Sequence, residues 1–172
     1  MSEIKMMTSA YANKLLKKLA EDKEFWLAKE REGHVYVAAV TEEAVVPDYD
    51  YEEVSRNIEE IDEKVVRIKH AINLANVTNT ITALGKQMTI DQVLVRMAQL
   101  NKRKLILDGM RKKQPKKRIT SGFASGRAAA PEYQYINYDL DLIKKEYDRI
   151  DMEIAEMQIA LDKYNQTVEF EV

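Results

Sequence analysis

The stretch VSRNIEEIDEKVVRIKHAINLA, residues 54–75, decides the fold class. Its apolar residues Val54, Ile58, Ile61, Val65, Ile68, Ile72 and Ala75 recur in alternating steps of four and three. An α-helix turns once every ~3.6 residues, so this spacing draws one apolar stripe along it. Such a stripe is the a/d seam of helices that pack lengthwise on other helices. A second stretch, LDLIKKEYDRIDMEIAEMQIALDKY at 140–164, repeats the pattern. Its seam runs through Leu140, Ile143, Tyr147, Ile150, Ile154, Met157, Leu161 and Tyr164. Both seams read as packing surface rather than as the lining of a pocket.

Working outward, residues 8–32 read as a helix capped by Thr8 or Ser9, with Ala12, Leu15, Leu16, Leu19 and Trp26 on one side. Gly33 is expected to stop it in the left-handed conformation. HVYVAAV (34–40) alternates like a short strand, and Pro47 lies in the connection that follows. Asp50 and Glu53 have capping-box spacing, so the second helix starts there and is expected to reach about Ala83, with Gly85 ending it. Thr89 and Gln92 form a second box. The helix they open carries Ile90, Val93, Met97, Leu100 and Leu107 on its apolar face and fades near Lys113, before Pro115.

Residues 114–132 read as loop. Tyr133 to Asn137 reads as a strand, and Asn137 or Asp139 caps a last helix reaching about Tyr164. The tail QTVEFEV alternates as a final strand. The expected fold class is mainly all-α: an antiparallel four-helix bundle with long coiled-coil-like helices and a minor β element at one end. One domain is expected over residues 1–172, with a basic loop at 111–132.

Five Gly and three Pro in 172 residues suit long helices. The absence of Cys excludes disulfides, thiolate metal sites and cysteine nucleophiles. No stretch approaches the ~18 consecutive apolar residues of a membrane span. MSEIKMMTSAYANKLLKK at the start has no apolar core of a secretory signal, so a cytoplasmic location is expected. The two histidines, His34 and His70, stand outside any Glu-x-x-His pair. There is no G-x-S-x-G elbow and no GxxxxGK[ST] loop. GFASG at 122–126 is Gly-spaced but neither follows a strand nor opens a helix. The residues therefore point to no enzyme, no catalytic or metal-binding residue and no cofactor.

The net charge of −2 is unevenly spread. From Gly109 to Pro131 lie seven basic residues and no acid, which leaves the other 20 basic residues facing all 29 acidic ones. Arg111, Lys112, Lys113, Lys116, Lys117 and Arg118 form a candidate anion-binding group, with Arg127 further on. Such a cluster can neutralise the phosphates of nucleic acid or anionic lipid. Within that loop only Phe123 is available to stack on a base, and the plainer interpretation is a solvated loop meeting acidic helices. Asn73, Asn76 and Asn79 form a candidate polar layer, with Asn79 on a seam position and Asn76 beside it, of the kind that fixes register. Tyr133, Tyr135 and Tyr138 read as packing at a strand–helix junction.

NVTNTIT (76–82), a Gly-bearing turn and then TIDQVLVRMAQLNKRK (89–104) resemble a pattern found in a family of small bacterial helical proteins, some labelled septicolysin. The ending MQIALDKYNQTVEFEV is similar to that family's close, a helix running through Asn into a short β-like tail. The resemblance covers about half of the chain and its motifs are structural. It implies an intracellular bacterial coiled-coil protein and transfers no functional residue. Together these readings lead to a non-enzymatic structural or protein-interaction role, with heptad helices that self-associate into a homo-oligomer. The alternative is a polyanion-binding module using residues 111–118.

Overall fold

The computed structural model describes residues 5–119 and 132–172. The described residues are mainly helical and hold four helices and three two-stranded antiparallel strand pairs. The chain divides into two compact units, one formed by residues 1–81 and 161–172, the other by residues 82–160.

The first unit holds strand β1 (Met6–Thr8), helix α1 (Ser9–Gly33), helix α2 (Tyr51–Thr78), the last turns of helix α4 (Leu140–Thr167) and strand β6 (Glu169–Glu171). Thr8 caps α1 by accepting from the Tyr11 amide. Asp50 caps α2 by accepting from the amides of Glu52 and Glu53. Each cap satisfies donors that the first helical turn leaves without a partner. The two helices run antiparallel: Lys23 meets Asp62 at 2.6 Å, Lys29 meets Glu53 at 3.4 Å, and Gly33 lies against Tyr49.

Between α1 and α2 the predicted seam is filled. Ile61, Ile68 and Ala75 of α2 cluster with Ala12 and Leu19 of α1, and Met7 and Phe170 from the terminal strands join them. Those strands pair antiparallel, with Met7 opposite Phe170, so the two ends of the chain close this core together. The seam is asymmetric. Val54, Ile61, Ile68 and Ala75, spaced by seven, are buried, whereas Ile58, Val65 and Ile72 are half-buried.

In the second unit, helix α3 (Ile90–Arg111) runs antiparallel to α4 up to Ala160. Arg96 pairs with Glu153, Lys104 with Asp151, and Arg111 stacks on Tyr147. The whole predicted α3 face, Ile90, Val93, Met97, Leu100 and Leu107, is buried, as are Ile143, Ile150 and Met157 of α4. Both halves of a capping box form at Thr89 and Gln92. Asp139 caps α4 by accepting from the amides of Asp141 and Leu142.

Several expectations are corrected. α2 stops at Thr78, and β2 (Thr80–Ala83) pairs with β3 (Lys86–Thr89) in a hairpin that continued helix would have covered. Leu84 and Gly85 turn it, both with positive φ (53° and 69°), the backbone sense that matches strand twist. A run of Thr and Ile favours the strand once such a turn follows. Gly33 is not left-handed. It remains helical, and its lack of a Cβ is needed for a different reason: an added Cβ would sit 2.6 Å from Tyr49 Cβ. His34 to Val40 forms no strand; Val37 and Val40 are fully exposed, since alternation without a neighbouring strand leaves nothing to pair with. Lys116 to Ile119, expected as loop, is a strand. Among the described residues there are six strands rather than three, and they form separate pairs rather than one small sheet. The seams lie inside the chain, so they are not surfaces left open for a second copy.

Candidate anion-binding site

The basic residues sit at one end of the second unit, where α3 gives way to strand β4 (Lys116–Ile119). Pro115 separates the two elements. It cannot continue a helix, and its carbonyl accepts from the Ile136 amide. Strand β5 (Glu132–Tyr135) returns antiparallel. Lys116 faces Tyr135, Lys117 faces Gln134, Arg118 faces Tyr133 and Ile119 faces Glu132. All eight residues of the two strands are exposed.

The six predicted cations divide into two sets. Arg111 and Lys112 are already engaged. Arg111 donates from Nε to Asp108 Oδ1 at 2.9 Å, and Lys112 Nζ meets Asp108 Oδ2 at 2.5 Å. The hydrogen bonds from Lys112 and then Arg111 hold the Asp108 carboxyl below the ordinary carboxylate range. The Arg111 guanidinium also lies 3.9 Å from the centre of the Tyr147 ring, so it ties the end of α3 to α4. For these two residues the plainer interpretation holds, since their charge meets an acid of the same helix.

The second set, Lys113, Lys116, Lys117 and Arg118, has no carboxylate within ion-pair distance among the described residues. A cleft of about 680 Å³ opens beside it, and its lining includes Lys112, Lys113, Lys117, Gln134, Tyr135 and Tyr138. Tyr138 donates its hydroxyl to the Met110 carbonyl at 2.7 Å, which closes the C-terminus of α3. The cleft therefore offers ammonium groups and side-chain amides to an anion. Arg127, Phe123 and the GFASG stretch lie outside the described residues.

The aromatic residues depart from expectation. Tyr138 packs at the strand–helix junction as foreseen, but Tyr133 and Tyr135 are 39 % and 62 % exposed. Lys116 Nζ lies 4.2 Å from the centre of the Tyr133 ring and 5.5 Å from that of Tyr135. The sequence signal was the alternation E-Y-Q-Y placed after K-K-R-I, which becomes legible only once the two segments are paired.

The asparagines do not form a layer. Asn73 is exposed and Asn76 half-buried. Asn79 is the extended C-cap of α2, and its side chain donates to the Tyr164 hydroxyl at 3.1 Å. The helix ends before Asn79, so that residue never occupies a seam position. Among the described residues, no group of three or more His, Asp and Glu side chains is arranged to hold a metal ion, and no helix is long and apolar enough to cross a membrane.

No family model matches the chain, and neither the curated proteins nor the solved structures hold a match to it.

Proposed function

We propose that this is a non-enzymatic protein-interaction module that assembles with copies of itself through the outer faces of its helices. One observation carries the proposal. On α3, Leu94, Val95, Leu105 and Ile106 are exposed, and on α4 so are Leu142, Met152 and Ile159, all within the second unit. Met152 and Ile159 are seven residues apart and thus share one side of α4. Exposed apolar residues that share a side of a helix mark an interaction surface when they join into one patch.

The magnitudes favour association. Burying one such side chain in full contributes roughly 1.5–3 kcal/mol. These seven are between 44 % and 75 % exposed. Fully sealing all seven on each of two copies therefore releases on the order of 10–25 kcal/mol, against the roughly 4–15 kcal/mol that association costs. Two such helix pairs meeting face to face through these outer faces would make an antiparallel four-helix bundle between chains, distinct from the bundle expected within one chain. Membership of the septicolysin-labelled bacterial family and a cytoplasmic location belong to the same proposal and rest on the sequence alone.

The test is a charge placed on each outer face. Leu105→Asp with Ile159→Asp should keep the helical circular dichroism and lower the sedimentation coefficient to that of a single chain. Unchanged sedimentation would exclude these faces as the interface.

A second reading, a polyanion-binding module, is favoured by Lys113, Lys116, Lys117 and Arg118, which have no carboxylate partner among the described residues and of which Lys113 and Lys117 line the cleft. It expects retention on heparin that falls steeply with salt. Flow-through of the full chain at low salt would end it.

A further inference from the structure

We infer that the β4–β5 ribbon is a stacking platform for single-stranded nucleic acid, a reading that rests on, and narrows, the polyanion-binding alternative. On a two-stranded ribbon, residues directly opposite share a face, and so do residues two apart on one strand. The register puts Lys116 opposite Tyr135 and Arg118 opposite Tyr133. One face of the ribbon thus carries Lys116, Arg118, Tyr133 and Tyr135 and no acid. All four are exposed.

Tyr133 and Tyr135 are two residues apart, hence about 6.7 Å along an extended strand. That spacing lets two bases of an extended strand lie on successive rings, while the flanking cations meet phosphates. Lys117 projects from the opposite face toward the cleft, beside Lys113, so positive charge continues past the ribbon edge for the backbone to follow. In the free protein Lys116 covers the Tyr133 ring at 4.2 Å. An arriving base takes that ring and releases the ammonium to a phosphate.

Two comparisons select this occupant. A duplex keeps its bases stacked on one another and offers none to the rings. An anionic membrane needs apolar side chains to insert, but the aromatic face carries tyrosines and cations, and the aliphatic residue of the ribbon, Ile119, lies on the reverse side opposite Glu132.

The full chain would be titrated into a fluorescent 20-mer of oligo-dT and followed by anisotropy, with the matching duplex and phosphatidylserine vesicles alongside. The expected result is preference for the single strand. Y133A/Y135A should weaken binding about tenfold or more, whereas Y133F/Y135F should retain it, because stacking needs the ring and not the hydroxyl. K116A/R118A should weaken binding and flatten the salt dependence, whose log–log slope is expected near −3 for about four phosphates. Circular dichroism of each variant checks that the helices are intact. If the tyrosine pair can be removed without loss while the cations cannot, the platform is wrong and the polyanion reading survives. Preference for duplex or vesicles likewise overturns the platform, and absence of binding to all three overturns both readings.

Discussion

Arg111 donates from Nε to Asp108 Oδ1 at 2.9 Å, and this one contact decides which basic residues are free. Asp108 also takes Lys112, so a single carboxylate silences two of the six predicted cations. Asp108→Asn should release both and tighten binding of a polyanion by about two- to fivefold at low salt, with the gain disappearing at high salt. Anisotropy against oligo-dT at two salt concentrations measures this. Equal affinity for wild type and variant would mean that Arg111 and Lys112 never reach the ligand.

The same ion pairs set an acid limit. The carboxyls of Asp108 and Glu146 are held below their ordinary range by hydrogen bonds from Lys112 and Arg149 respectively. A depressed carboxyl contributes stability above the unfolded-state value near 4, and loses it as pH falls through the lower folded value. Thermal melting should therefore be insensitive to these groups between about pH 5 and 7 and decline below about pH 4. In D108N the decline should be shallower. A melting temperature that rose on acidification would reverse the sign and exclude the mechanism.

The seams carry the folding energy. Ile61 and Ile150 are 7 % and 2 % exposed and sit in different units. Ile61→Asp with Ile150→Asp buries one unpaired charge in each core and should collapse the helical signal in circular dichroism. The milder Leu107→Ala removes a fully buried side chain and should cost about 2–5 kcal/mol in urea unfolding. Retained helicity in the double variant would disprove the seam assignment.

Two glycines should answer in opposite directions. A Cβ on Gly33 meets Tyr49 Cβ at 2.6 Å, so Gly33→Ala must push the connection away from α1 and should cost about 1–3 kcal/mol. Gly109 lies in α3 with nothing within 4 Å of an added Cβ. Gly109→Ala should therefore stabilise by up to about 1 kcal/mol through helix propensity. Chemical denaturation of the pair tests the contrast, and the same sign for both would refute it.

What could be read from the sequence follows the range of the forces involved. Helix periodicity and capping are local, so Asp50 was legible as a cap, Thr8 and Asp139 each as one of two candidates, and the buried α3 face from Ile90 to Leu107 residue by residue. Strands of three or four residues are fixed by partners far along the chain. Met6 to Thr8 becomes a strand only because Glu169 to Glu171 returns to it, and no local pattern announces that. His34 to Val40 has the better strand composition and no partner, so it forms no strand and stays exposed. The charge cluster was visible at 111–118, but its division was not, because Asp108 precedes the basic run and Tyr133 reaches it only across the ribbon. Asn79 misled because the seam period was carried past the helix end at Thr78, one residue before it.

Absolute molar mass in solution, by light scattering on a size-exclusion column, tests the central claim most directly. One chain has a mass of 19.9 kDa. A discrete multiple of that value, reduced to one chain by Leu105→Asp with Ile159→Asp, is the result expected of helices that assemble through their outer faces. A single-chain mass for the wild type at tens of micromolar would contradict self-association.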